Sequence, residues 1–526
     1  RVLAARKSAF LLNSLGKFQE SSSILEYAVN LMPSVNLQAL KRDDQQHRLS
    51  ELSGLASDAA SMALRAGREA YDSLKLLELG RGIMMGFSID SRSDVSDLKT
   101  DHPLEYDQFH RLRIEIDSAM NETSYGGDGI PDQGQNRSTS QRWEAVNEME
   151  AILARIRMLP GYGGFLLPPS QEALKDMAVD GPIVVFNSTL YGSHAIIVTT
   201  SAITSLELPE LNHEKIDHWM KQLASFGESW GIKRGQYNKQ MKDLLVWLWD
   251  AAVGPVFDDL ERSGTIVSKG AHDTNLKRIW WIGTGQLSMA PFHAAGDHSR
   301  GSTRNTLSRA ISTYIPTIKA LNYAREHTKK AEIAEKRDPR LLLVPMPKTP
   351  GKTSLPGVDK EVRYLVDSTS KIPIETTVLS NPTPAEVLKQ AQQHDIVHFA
   401  CHGVSDMNPS NSHLVLLTPD GNDADKLLAR DISNMVAQNA QLAYLSACSS
   451  AKNQSTELAD EVIHLASAFQ LAGFSHTLAN LWETGDHPSS EVARDFYNFL
   501  FQYQGNGNEH RWVSEAFHKA VKKFRD

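Results

Sequence analysis

Apolar residues recur at helical spacing from the start of the chain. Leu12, Phe18, Leu25, Ala28, Val29 and Leu31 form one stripe, broken by Gly16 and closed by Pro33. This predicts a helix, a tight turn and a second helix, with further helices over about 37–79. The run LKLLELGRGIMM at 74–85 ends a helix, with Gly80 and Gly82 as stops. Helical text resumes over 103–120 and 143–159, where Pro160-Gly161 ends it. Between them NETSYGGDGIPDQGQNRSTSQ, residues 121–141, is poor in apolar side chains and predicts a flexible loop. Periodicity is already under way at Arg1, the expectation for a segment of a longer protein.

At Gly181 the period changes from helical to alternating. GPIVVFNSTLYGSHAIIVTT predicts a hairpin with β-branched runs on both sides of Tyr191-Gly192. Helical text fills 213–260, with Trp219, Trp230, Trp247 and Trp249 as packing anchors. A buried strand follows in KRIWWIG, then a loop carrying Gly283, Gly285 and His293. Gly-x-Gly-x-x-Ser lacks the third glycine of a dinucleotide site, and His293 reads as a structural histidine. Residues 324–340, AREHTKKAEIAEKRDPR, form a charged helix or linker with a solvated face. Strands over 341–345, 374–379 and 396–400 then alternate with helices over 355–365 and 384–393. That order predicts a mostly parallel, helix-flanked sheet.

Length, charge and cysteine content narrow the chemistry. With 526 residues the chain exceeds one core, and five segments are expected: helices over 1–85, a connector over 86–180, an α/β unit over 181–323, the charged linker at 324–340 and a second α/β unit over 341–526. A net charge of −8 gives no footprint for nucleic acid, and no run approaches 18 apolar residues, so no membrane span is expected. The two cysteines, Cys401 and Cys448, exclude a disulfide framework and a zinc site built from cysteine pairs. Neither a metal nor a cofactor is expected, and reduced, intracellular chemistry is. The sequons at Asn121, Asn136, Asn187 and Asn453 read as chance matches.

Two apolar runs end in reactive side chains. Residues 395–400 lead into Cys401-His402-Gly403, and residues 441–447 into Cys448-Ser449-Ser450. Open α/β sheets place chemistry at the carboxyl ends of strands, so His402 and Cys448 are expected to converge on one crevice. Neighbours on a strand face opposite sides, so Cys401 cannot share His402's face and reads as packing. His398 shares that face but lies deeper, and reads as a buried, hydrogen-bonded histidine. An imidazole beside a thiol supplies both thiolate formation and a proton for a leaving amine. Gly403 allows close backbone approach, and its N–H together with that of Cys448 is the expected oxyanion support. Asp406, Asp423, Asp425 and Asp460 flank the strand tips as candidates for an acidic pocket that takes Lys or Arg, against the plainer reading of solvated surface.

These motifs carry a family resemblance. HFACHG, LSACSS, the helix DEVIHLASAFQLAGF and the strand TLANLW followed by Asp486 resemble the CHAT family of caspase-like domains. Leu355-Pro356-Gly357 with Glu361, and the upstream WWIGTGQLSMAPFHAAG, look like further blocks of it. The 46 residues from His402 to Cys448 are close to the roughly 50 that separate the two in caspases. The first 34 residues resemble the second half of a tetratricopeptide (TPR) repeat, and the whole chain resembles fungal TPR-CHAT proteins. Cys-Ser-Ser is shared with separases, where many CHAT relatives carry Thr at the position of Ser450.

The resemblance implies a caspase-like α/β fold, a preceding non-catalytic α/β unit like the pseudoprotease half of separases, and a TPR-like helical region. It implies His402 as general acid/base and Cys448 as nucleophile of a cysteine endopeptidase that cuts a protein or peptide substrate, in defence or cell-death signalling. A regulatory protein on the TPR-like helices is the implied partner, with residues 453–461 as the segment that moves. The alternative is a catalytically silent scaffold or interaction module. A glutaminase-type cysteine hydrolase fits less well, because the Gly-x-Cys-x-Gly turn is missing.

Overall fold

The computed structural model describes residues 2–32, 42–92, 95–121, 133–225, 230–266, 276–333, 337–437, 439–453, 455, 457–502 and 509–526. They form two compact units, residues 1–174 and 175–526.

The first unit is helical. Helices Val2–Ser14 and Phe18–Asn30 meet at Gly16, whose φ of 74° suits glycine, and Ser21 Oγ donates to the Ala9 carbonyl across the pair. Helices Leu55–Arg65 and Ala70–Gly80 follow, and a Cβ on Gly80 would lie 2.6 Å from that of Ala56, so glycine permits their close approach. Arg68 makes a bidentate pair with Glu26 at 2.6 and 3.1 Å. Helices Pro103–Asn121 and Gln133–Arg157 bury a second cluster around Phe109, Leu112, Met149 and Ile152. The second of these begins at Gln133, so residues 133–141 are helix where a loop is expected; residues 122–132 lie outside the described residues. The glycines and prolines that suggest a loop are confined to the part before Gln133 and to Gly134 in the helix's first turn.

The second unit holds two five-stranded sheets. In the first, β1 (Ile183–Thr189), β2 (Gly192–Val198) and β3 (Ile203–Glu207) form an antiparallel meander, and β4 (Arg278–Gly283) and β5 (Ile311–Tyr314) run parallel to β1, in the order β3-β2-β1-β4-β5. The expected hairpin forms, with its turn at Leu190-Tyr191 and Gly192 already paired with Thr189. Helices His213–Ser225, Trp230–Leu248 and Gly254–Arg262 make the crossover from the meander to β4. Trp249 and Phe257 stack within the core they bury.

The second sheet contains β6 (Arg340–Pro345), β7 (Glu375–Val378), β8 (Ile396–Ala400), β12 (Leu442–Ser446) and β13 (His476–Leu478), all parallel, in the order β13-β12-β8-β6-β7. Between β8 and β12 the chain makes a small antiparallel sheet from β9 (Gly403–Val404), β10 (His413–Leu417) and β11 (Ala424–Leu428). Strand alternation explains why the parallel runs read as continuously apolar. Leu342 and Val344 pack on one face with Phe399 and Phe469, while Leu341 and Leu343 pack on the other with Phe496 and Tyr497. Full burial of each such side chain contributes about 1.5–3 kcal/mol. From β6 the sheet grows first towards β7 and then, through β8, the other way. The switch in direction falls between β6 and β8, where parallel sheets open a crevice at their carboxyl ends. Among the described residues no helix is long and apolar enough to cross a membrane.

Candidate active site

Strands β8 and β12 are adjacent and parallel, with Ala400 opposite Ser446. His402 and Cys448 each lie two residues beyond those partners, so the register carries them to equivalent positions past neighbouring strand ends. The spacing between such strands is about 4.8 Å. Two further bonds fix the tip of β8: Met346 N–H donates to the Ala400 carbonyl at 2.8 Å, and Val415 N–H to the His402 carbonyl at 2.9 Å.

The imidazole of His402 is half-buried, and its Nε2 lies 2.8 Å from the Thr353 carbonyl. A carbonyl only accepts, so Nε2 carries the proton and Nδ1 the lone pair. Thr353 sits in the loop after β6, across the switch point. This partner orients the ring as a second carboxylate or carbonyl does in other histidine-based sites.

Cys448 is also half-buried, and its Sγ donates to the Thr484 carbonyl at 3.7 Å. Burial pushes its thiol above the ordinary cysteine range; the hydrogen bond to the Thr484 backbone opposes it, and the carboxylates of Glu483 and Asp486 each add a smaller upward push. At neutral pH the resting sulfur is therefore a protonated thiol. Ser449, the next residue, has a φ of 52°, a left-handed conformation uncommon outside glycine, so the chain turns sharply just past Cys448.

That turn is pinned from several sides. Ser450 is buried; its hydroxyl donates to the Ala447 carbonyl and accepts from Asn480 N–H, and Asn480 Nδ2 donates to the same Ala447 carbonyl. Ser405 Oγ reaches the carbonyls of Ser449 and Lys452. A Cβ on Gly403 would stand 2.6 Å from the Cys448 carbonyl oxygen, so only glycine lets β9 lie this close to the Cys448 backbone. Asp486 Oδ2 accepts Gly357 N–H at 2.5 Å, at the start of helix Pro356–Thr369, where a carboxylate is favoured by the helix dipole.

The other expected residues take varied places. Asp406 is half-buried in the loop after β9 and accepts Asn408 N–H. Asp423 is exposed at the turn between β10 and β11, and Asp425 lies on β11 opposite Leu416. Asp460 is 5 % exposed, and its Oδ1 accepts Gly285 N–H from the first sheet's side of the unit. That bond fastens the segment after the Cys448 turn to the loop after β4. Cys401 is buried in the core, which pushes its thiol far up. His398 is buried against Tyr444, with Nδ1 3.1 Å from Tyr497 Oη and Nε2 2.9 Å from Glu361 Oε1, the latter a close electrostatic contact rather than an aligned hydrogen bond. His293 is held by Tyr314 Oη at 2.9 Å, and burial lowers its pKa to about 4. Of the segment 453–461, residues 454 and 456 lie outside the described residues.

Thr353, Thr484 and Glu483 as neighbours of His402 and Cys448 are not foreseen from the sequence. The first two act through backbone carbonyls, which any residue supplies. Asp486 stands out there as the end of a motif, but not as a group that touches Gly357.

The CHAT domain profile matches residues 242–526, just over half of the chain. No curated protein sequence matches significantly. Among solved structures, the Saccharomyces cerevisiae separase of a separase–securin complex superposes with a TM-score of 0.51 at 12 % identity, over 97 % of this chain and 37 % of that one. The chain thus spans little more than a third of that separase. The Arg-specific cysteine proteinase gingipain R matches with a TM-score of 0.32 at 10 % identity, over 55 % of this chain and 71 % of that one. The pro- and mature domains of the Porphyromonas gingivalis enzyme match with 0.34 at 10 % identity, over 55 % and 73 %. The separase likeness agrees with the parallel sheet and its flanking helices, and by the profile match the chain belongs to the CHAT domain family.

Proposed function

We propose that this protein is a cysteine endopeptidase in which Cys448 is the nucleophile and His402 the general acid and base. The observation that carries the reading is the register of β8 and β12, which gives the two side chains equivalent positions past adjacent parallel strand ends. In the mechanism, His402 Nδ1 takes the Cys448 proton as Sγ attacks the scissile carbonyl carbon. The oxyanion is received by the N–H groups of Gly403 and Cys448. The imidazolium then protonates the leaving amine, and the acyl-enzyme is released by a water that His402 deprotonates.

The carboxylates that raise the Cys448 pKa, Glu483 and Asp486, favour a substrate with Lys or Arg beside the cut. A bound cation there offsets their charge and lowers the thiol pKa as the substrate arrives. Asp406 is the remaining candidate from the sequence for that pocket; Asp423 and Asp425 sit on the β10–β11 hairpin. A protein partner that reorganises the nucleophile loop is part of the same proposal.

The test is cleavage of a library of basic and neutral fluorogenic peptides, with labelling by a peptidyl acyloxymethyl ketone. Cys448→Ala and His402→Ala each abolish turnover, and Glu483→Gln lowers selectivity for basic peptides about tenfold. Turnover that survives Cys448→Ala overturns the assignment. The second reading, a silent scaffold, is favoured by one observation, the protonated thiol turned to the Thr484 carbonyl. It predicts that no probe labels Cys448 with any partner present.

A further inference from the structure

The start of helix Pro356–Thr369 meets the two strand tips through residues four apart. The Thr353 carbonyl, just before the helix, lies 2.8 Å from His402 Nε2, Gly357 N–H donates to Asp486, and the Glu361 carboxylate lies against His398 and Ser446. Gly357 and Glu361, at i and i+4, share one helix face. His398 and Ser446 stand four and two residues before His402 and Cys448, an even spacing that puts each on the strand face of its successor at the tip. Glu361 thus touches β8 on one side and β12 on the other, directly beneath the site.

The group is buried: Glu361 is 3 % exposed and His398 0 %. Glu361 Oε1 lies 2.9 Å from His398 Nε2, and Oε2 accepts the Ser446 hydroxyl at 3.5 Å. Tyr497 Oη, 3.1 Å from His398 Nδ1, belongs to helix Asp486–Gln502, whose first residue is the Asp486 that takes the Gly357 N–H. With the Tyr497 hydroxyl donating to Nδ1, Nε2–H faces the carboxylate. The same face of the sheet is otherwise packed with Leu343, Leu365, Tyr444 and Phe496. A carboxylate is costly to bury, and apolar replacement of a buried polar pair is often neutral or stabilising, so stability alone gives no reason for Glu361. What an apolar side chain cannot supply is a fixed distance to polar atoms on two different strands.

We propose that Glu361 is a positioning residue: by holding His398 of β8 and Ser446 of β12 on one carboxylate, it fixes the offset between the two strand tips and so between His402 and Cys448. It acts through the strands and not on the reacting atoms. The kinetic part of the proposal rests on the peptidase reading above. Without the carboxylate the tips gain play and the geometry of attack is met less often, while the groups that bind substrate stay in place. Turnover therefore falls and KM holds.

Two variants of the full chain separate positioning from stability. Glu361→Gln keeps the size of the side chain and one acceptor, so one of the two strands loses its hold. Glu361→Leu combined with His398→Leu replaces the pair by apolar groups and should melt no lower than the unaltered chain. In both, kcat per site titrated with the peptidyl acyloxymethyl ketone is expected to fall about tenfold, short of the roughly 100-fold of a 1 Å misplacement, with KM within about twofold. A second readout needs no activity: hydrogen exchange should quicken at residues 401–404 and 446–450 and stay unchanged at 183–198 in the first sheet. A pair that serves stability alone gives lower melting with kcat per titrated site unchanged, and that result overturns the proposal. Exchange at the two tips equal to that of the unaltered chain overturns it as well. Where the unaltered chain turns over no peptide, the peptidase reading fails by itself, and the exchange comparison still decides whether Glu361 holds the tips.

Discussion

Gly403 is the residue on which the geometry of the proposed His402–Cys448 pair depends most directly. A methyl group there would press on the Cys448 carbonyl oxygen at 2.6 Å and the Ala447 Cβ at 3.3 Å, and backbone on that side has little freedom to retreat. Gly403→Ala is expected to lower kcat/KM about 100-fold, the scale of a misplacement of about 1 Å, at a stability loss of about 1–3 kcal/mol. Kinetics with a fluorogenic peptide and thermal melting separate the two. Cys448 itself gives a second expectation. Its pKa is raised in the folded chain, so iodoacetamide should alkylate it slowly at pH 7.5 and faster as pH climbs past 8.5, the ordinary thiol value. Mass spectrometry of the alkylated peptide reads this rate. Alkylation at pH 7.5 as fast as that of a free cysteine would remove the raised pKa from the account.

At the level of elements, β8, β12 and helix Pro356–Thr369 hold the site together. Asp486 joins the last of these to the segment after β13 through Gly357 N–H, and a Cβ on Gly357 would collide with that carboxylate at 2.6–2.7 Å. Asp486→Asn keeps an acceptor but loses the charge at the helix start. It should destabilise the chain by about 0.5–1 kcal/mol and lower turnover more than it lowers melting. The two strand tips were legible in the sequence because continuous apolar runs ending in small residues mark buried parallel strands. Their partners were not. Which strand neighbours β8 depends on chain reversals across more than a hundred residues, and Thr353 and Thr484 act through carbonyls that carry no side-chain signature. Asp460 misled for a related reason: a loop aspartate reads as solvated until its distant partner, Gly285, is known. The helix from Gln133 was missed because its first turns are polar, and polarity alone resembles a loop.

At the level of the whole molecule, half-buried neutral histidines set how the second unit answers to acid. Burial lowers the pKa values of His293 and His464 to about 4, and His464 Nδ1 accepts Ser467 N–H, which needs the neutral ring. Their unfolded value is about 6.5. The stability they contribute is therefore present above pH 6.5 and is lost as pH falls towards 4, because the unfolded chain binds protons that the folded chain refuses. Each contributes a slope of up to about 1.4 kcal/mol per pH unit in that window. Urea denaturation between pH 7 and pH 4 should show this loss, and His464→Asn, which keeps a side-chain cap, should flatten it. A stability independent of pH over that range would mean that the rings titrate normally.

The protonated sulfur of Cys448 also bears on survival in an oxidising setting. Hydrogen peroxide reacts with thiolate, and oxidation beyond the sulfenic stage is rarely repaired. In the proposed mechanism, a sulfur that is half-buried, turned to the Thr484 carbonyl and protonated until substrate binds is shielded from that chemistry for most of its lifetime. The burial that keeps the idle thiol protonated would thus preserve it, trading readiness for durability.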